Sequence, residues 1–111
     1  MVTVREINSY DDFKSFINMD DDKLHVVKIG AEWCGPCRVL ESTISNLESD
    51  RVNDVLFGQV DIDKDGTEDL VTEFKVRSIP VMLFIKNGEV FDKKVGGINA
   101  DEIYKTIESY K

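Results

Sequence analysis

Trp33-Cys34-Gly35-Pro36-Cys37 is the stretch from which the rest of the chain is read. It holds both cysteines of the 111 residues, with two residues between them. A pair that close can pass between dithiol and disulfide within one turn of backbone. The apolar run Val26-Val27 leads into the motif and a helix-like pattern follows it. A Cys-x-x-Cys between a buried strand and a helix reads as a dithiol redox site.

Thiolate is the nucleophile in disulfide exchange. Cys34 stands where the strand has ended and the helix begins, so its sulfur meets unpaired amides and the positive end of the helix dipole, which favour the anion. Cys37, three residues on and pointing inward, suits the resolving role. Attack by Cys34 on a disulfide would give a mixed disulfide, and Cys37 would then displace the product. A structural or metal-binding pair is the competing reading. Zinc asks for four ligands, and the chain offers no third cysteine and a lone His25. Redox catalysis with no bound metal or cofactor is therefore expected.

Outward from the motif, the apolar and polar patterns order the chain. Val2 to Glu6 alternates and suits a short strand. Asn8-Ser9 can cap a helix that buries Phe13, Phe16 and Ile17. The acidic break Met19-Asp20-Asp21-Asp22-Lys23 reads as a solvated loop; it lacks the glycine and distal glutamate of a calcium loop. Leu24 to Ala31 reads as a central strand. The helix after it begins near Cys34, tolerates Pro36 in its first turn, and buries Cys37, Leu40, Ile44 and Leu47.

Val55 to Ile62 is a further strand, Asp63-Lys64-Asp65-Gly66 a turn, and Thr67 to Phe74 a short helix with Leu70, Val71 and Phe74 inward. Ile79-Pro80 precedes Val81 to Ile85, a strand buried on both faces. Asn87-Gly88 signals a hairpin returning as Glu89 to Val95. Gly96-Gly97 ends that strand, and Asn99 caps a last helix with Ile103 and Ile107 inside. The order β-α-β-α-β-α-β-β-α predicts an α/β fold, a central mixed five-stranded sheet flanked by four helices, in one domain over residues 1–111.

Hydrophobic residues are 41% and charged residues 32%, with a formal net charge of -8. That is a globular composition whose acidity repels phosphate backbones and anionic lipid, which argues against nucleic acid and membrane partners. The longest apolar run, Val81 to Ile85, is too short to span a bilayer. The start Met1-Val2-Thr3-Val4-Arg5 has no apolar signal core, so a cytoplasmic monomer is expected. Two cysteines in a reducing compartment are more often catalytic than structural.

Ala31-Glu32-Trp33-Cys34-Gly35-Pro36-Cys37 resembles the signature of the thioredoxin family. The resemblance extends to Arg77-Ser78-Ile79-Pro80, Lys86-Asn87-Gly88-Glu89 and Val95-Gly96, and so to nearly the whole chain. It implies the thioredoxin fold and a protein-disulfide reductase recycled by thioredoxin reductase, which draws on NADPH. It also implies that Trp33 flanks the substrate groove, that Asp63 holds the Trp33 indole N–H, and that Pro80 is a cis proline beside the dithiol. Ile79 would pair its backbone with an extended disulfide-containing protein substrate, and Gly96 would keep the partner's approach open. The Gly35-Pro36 dipeptide resembles that of reductants rather than oxidases or isomerases. Arg38 matches a basic residue of many relatives and would add positive charge near the thiols.

Four positions depart from the family pattern. Lys28 stands where most relatives carry a buried acid, Gln59 where they carry a lysine, Ser42 in place of a helix proline, and Gly30 in place of a tryptophan. Lys28 shares a strand face with Val26, and by the resemblance that face packs under the active-site helix near Cys37. It is expected either to give up its proton and serve Cys37 as a base, or to stay charged by reaching Glu32 or water. A more oxidising relative, and an interaction module whose thiols are incidental, are the alternatives.

Overall fold

The computed structural model describes residues 2–20 and 22–111. Met1, and Asp21 of the expected acidic loop, lie outside the described residues. The chain runs β1 (Val4–Glu6), α1 (Tyr10–Ile17), β2 (Leu24–Gly30), α2 (Gly35–Ser45), a 3-10 turn (Ser49–Arg51), β3 (Val55–Asp61), α3 (Glu68–Glu73), β4 (Val81–Lys86), β5 (Glu89–Val95) and α4 (Ala100–Glu108). The sheet order is β1-β3-β2-β4-β5. β2 pairs in parallel with β3 and antiparallel with β4, while β1 lies parallel to β3 and β5 antiparallel to β4. The mixed sheet and its order of elements are those expected.

All seven residues of β2 are buried, so both of its faces must be covered. Side chains alternate across a strand, and the two faces take different helices. On one side Val26, Met82 and Phe84 pack with Leu40 and Ile44 of α2 and Ile103 and Ile107 of α4. On the other, Val27, Ile29, Leu83 and Ile85 pack with Phe13 and Phe16 of α1 and Leu70 of α3. His25 is fully buried; its ring meets Phe16 edge-on, and its Nε2–H donates to the Met19 carbonyl at 2.6 Å. That bond ties the start of β2 to the loop before it.

Short polar side chains set where helices begin. Ser9 Oγ accepts the Asp12 N–H (3.0 Å) while the Asp12 carboxylate accepts the Asn8 N–H (3.0 Å). One free amide of α1 and the amide of the residue before its cap are satisfied reciprocally in this way. Asn99 Oδ1 accepts the Glu102 N–H at the head of α4 (2.9 Å). Asn87 and Gly88 have φ of 53° and 78°, the left-handed pair that a two-residue hairpin needs.

The differences from expectation are local. β1 starts at Val4 rather than Val2, β2 stops at Gly30 before Ala31, and β3 stops at Asp61 before Ile62. In α3 Leu70 is fully buried, whereas Val71 and Phe74 are half-buried. The 3-10 turn was not foreseen. It is held by tertiary contacts, with the Arg51 guanidinium 3.6 Å from the Tyr104 ring centroid and the Tyr104 hydroxyl accepting the Glu48 N–H at 2.7 Å.

Leu70 is the one fully buried side chain of the short α3. Leu70→Ala is expected to cost about 2–5 kcal/mol, read as a lower urea midpoint. A change under about 1 kcal/mol would mean that α3 is held by other contacts.

Candidate active site

The end of β2 and the start of α2 meet at the two cysteines. After Gly30 the chain turns, the Cys34 N–H donating to the Ala31 carbonyl (3.2 Å), and Cys34 becomes the N-cap of α2. Its Sγ accepts the Cys37 N–H at 3.2 Å, the role usually filled by a side-chain oxygen. Gly35 and Pro36 form the exposed first turn, where a proline N is no loss because that amide has no intrahelical acceptor. Cys34 and Cys37 are joined by a disulfide, with their Cα atoms 5.2 Å apart.

Both sulfur-bearing residues are buried, Cys34 at 6% exposure and Cys37 at 1%. Ala31, Ile62 and Ile79 pack around the pair, the more accessible Cys34 included. Cys34 Sγ lies 4.0 Å from the Ile79 carbonyl oxygen. The Ile79-Pro80 bond is cis. The Pro80 carbonyl accepts the Gly96 N–H at 2.8 Å, which joins the proline loop to the end of β5. Gly96 has φ of 91° with open space where a Cβ would sit, so the backbone itself calls for glycine.

Trp33 is 68% exposed beside the buried pair. Its indole N–H donates to Asp63 Oδ2 at 2.6 Å, and Asp61 Oδ1 accepts the Asp63 N–H at 2.9 Å. The turn after β3 thereby fixes the aromatic that flanks the motif. The structure thus brings together Trp33, Cys34, Cys37, Asp63, Ile79, Pro80 and Gly96 from four stretches of chain.

Lys28 is buried, with its Nζ 3.4 Å from Glu41 Oε2. The expected carboxylate was Glu32; the partner is instead Glu41, one helical turn beyond Cys37 on α2. The signal was the four-residue spacing that sets Glu41 on the same side of the helix as Cys37. Gln59 pairs with Lys28 in the β2–β3 register and donates to Glu6. Arg38 lines an open polar cleft here with Glu6, Lys28, Glu41, Gln59 and Lys64. Among the described residues no group of three or more His, Cys, Asp or Glu could hold a metal ion, and no helix is long and apolar enough to cross a membrane.

The family model described as Thioredoxin matches residues 4–109. A thioredoxin of Callithrix jacchus is 34% identical over 110 residues, 96% of this chain and 98% of that protein. Thioredoxin-T of Drosophila melanogaster is 32% identical over 107 residues, 96% of this chain and 66% of that longer protein. The crystal structure of Fasciola hepatica thioredoxin superposes with a TM-score of 0.85 at 30% identity, covering 97% of this chain and all of that one.

Trp33 is the one tryptophan of the chain, so its fluorescence reports on the Asp63 bond. Asp63→Ala is expected to lower the steady-state anisotropy of Trp33, with Asp63→Asn retaining part of it. Equal anisotropy in all three proteins would mean that the indole is not held by Asp63 in solution.

Proposed function

The chain belongs to the thioredoxin family and is a thiol-disulfide oxidoreductase, and from that premise we propose that it works as a reductant of protein disulfides. Cys34 is the attacking thiol and Cys37 the resolving one. The observation that carries this reading is the asymmetry at the head of α2. Cys34 caps the helix and accepts an amide N–H, while Cys37 is buried behind it.

In the dithiol form the amide dipoles at the start of α2 favour a thiolate on Cys34. That thiolate attacks one sulfur of the substrate disulfide along its S–S axis. A Cys34–substrate disulfide forms and the second substrate sulfur leaves as thiolate, to be protonated. Cys37, deprotonated in turn, attacks Cys34 Sγ. The Cys34–Cys37 disulfide closes and the first substrate sulfur departs. Two electrons and two protons pass from the dithiol to the substrate, and the protein is left in the disulfide form. Trp33, the Ile79-Pro80 loop and Gly96 border the pair and form the surface for the substrate chain. No prosthetic group is needed, because the exchanging electrons reside in the two sulfurs. Return to the dithiol draws on NADPH through thioredoxin reductase. A cytoplasmic setting fits, since a reducing compartment keeps such a pair available as thiols.

Lys28 tunes this couple. It lies two residues before Gly30 on the strand face under α2, and Glu41 holds its ammonium one turn beyond Cys37. A positive charge on this side favours thiolate over disulfide and makes the couple more oxidising.

Cys34→Ser is expected to abolish reduction of insulin disulfides, whereas Cys37→Ser accumulates mixed disulfides that dithiothreitol releases. Adducts formed by Cys34→Ser through Cys37 would reverse the roles. Lys28→Met is expected to make the potential more negative, about 30 mV for each tenfold change in the equilibrium. Equilibration against glutathione measures it; an unchanged potential together with an unchanged pH–rate profile would remove Lys28 from the redox machinery.

A further inference from the structure

Glu41 follows Cys37 by four residues on α2, which sets both on the same side of that helix. Beneath them runs β2, where Lys28 and Gly30 share a face. Cys37 Sγ lies 2.9 Å from where a Cβ on Gly30 would stand, so this face passes directly under the resolving thiol. Lys28, one step back along it, reaches up to α2, and its Nζ stops 3.4 Å from Glu41 Oε2. The lysine is buried and the glutamate is exposed.

A lysine carries its charge on a flexible four-carbon stem, so the place of the charge depends on what holds it. Lys28 borders an open polar cleft that also carries Glu6, Glu32 and Asp61. Two of these acids are engaged elsewhere. Glu6 accepts from Gln59 and lies 3.8 Å from Lys64 Nζ, and Asp61 Oδ1 accepts the Asp63 N–H. Glu41 is the acid that shares α2 with Cys37. Held by it, the ammonium stays under the active-site helix. Without it, the stem extends through the cleft to water, as long cations do, and carries the charge away from the sulfur.

We infer that Glu41 is a positioning residue for the resolving thiol, its carboxylate keeping the Lys28 ammonium where that charge favours the Cys37 thiolate. This rests on the reading of Lys28 as part of the couple. Two effects of the Glu41 charge oppose each other. Acting on the sulfurs directly, the anion disfavours thiolate, so removing it would make the couple more oxidising. Acting through Lys28, it holds a cation in place, so removing it makes the couple more reducing. The exposed carboxylate is screened by water and salt, whereas the lysine acts from inside the fold. The effect through Lys28 is therefore the larger.

The test is a cycle of four proteins: the parent, Glu41→Ala, Lys28→Met and the double variant. Each is equilibrated in glutathione buffers of known ratio. The reaction is E(SH)2 + GSSG ⇌ E(S–S) + 2 GSH, in which the two protein thiols give two electrons and two protons to glutathione disulfide. Alanine suits an exposed helix position, so Glu41→Ala keeps the fold. It is expected to raise the equilibrium constant about threefold, which is about 14 mV toward a more reducing couple. Added to Lys28→Met, the same substitution is expected to leave the constant unchanged or lower it. An unchanged or lowered constant for Glu41→Ala alone overturns the proposal, and so does a rise of equal size with and without Lys28. If Lys28→Met shifts the potential and Glu41→Ala does not, Glu41 alone is removed and the reading of Lys28 stands. If Lys28→Met leaves the potential at the parent's value, that reading falls and this proposal with it.

Discussion

A strand buried on both faces has to satisfy its backbone entirely within the sheet and its side chains entirely within two cores. β2 meets both demands: β3 and β4 occupy its two edges, and α2 with α4 and α1 with α3 cover its two faces. Where it ends, the chain leaves the sheet and starts a helix at once. The unpaired amides of α2 therefore sit at the boundary between core and surface. A sulfur at that point lies among apolar neighbours yet receives an N–H bond from the helix it caps. Disulfide chemistry asks for that combination, low exposure with a local donor for the anion.

Much of this was legible because the decisive signals were short-range. The Cys-x-x-Cys spacing, the apolar runs of β2 and β4, the Asn87-Gly88 turn and the Asn99 cap each depend on a handful of neighbouring residues. Features that depend on residues far apart were not legible from pattern alone. The 3-10 turn at Ser49–Arg51 rests on Tyr104, and the Lys28 partner is chosen by how α2 lies over β2. The burial of Cys34 follows from Ile62 and Ile79 closing over it from two other loops. The cis bond at Ile79-Pro80 and the Trp33–Asp63 contact were expected only through the family resemblance; neither periodicity nor composition points to them.

The charges divide in the same way. A net charge of -8 is a property of the whole surface, yet the cleft beside the dithiol gathers Lys28, Arg38 and Lys64 among its acids. A nearly buried lysine against a largely exposed glutamate is an unequal pair, with side-chain exposures of 8% and 58%. The lysine has given up water and the glutamate has not, so the cation depends on its partner more than the carboxylate does. An ion pair of that kind anchors a helix to a strand at the level of the active site.

The two margins of the sheet are unequal in a way that bears on how the molecule behaves in a crowd. β1 is three residues long, too short to template another chain. β5 is seven residues and open along one side, but Lys93, Lys94 and Asp92 lie along it, and its register with β4 breaks between Phe84 and Ile85. Charges and a register break are the devices by which sheets discourage edge-to-edge growth. A thiol-disulfide oxidoreductase has to approach other polypeptide chains closely, and an extended chain is what an open strand edge recruits. Guarded margins let such encounters end at the sulfurs and release, rather than seed a shared sheet.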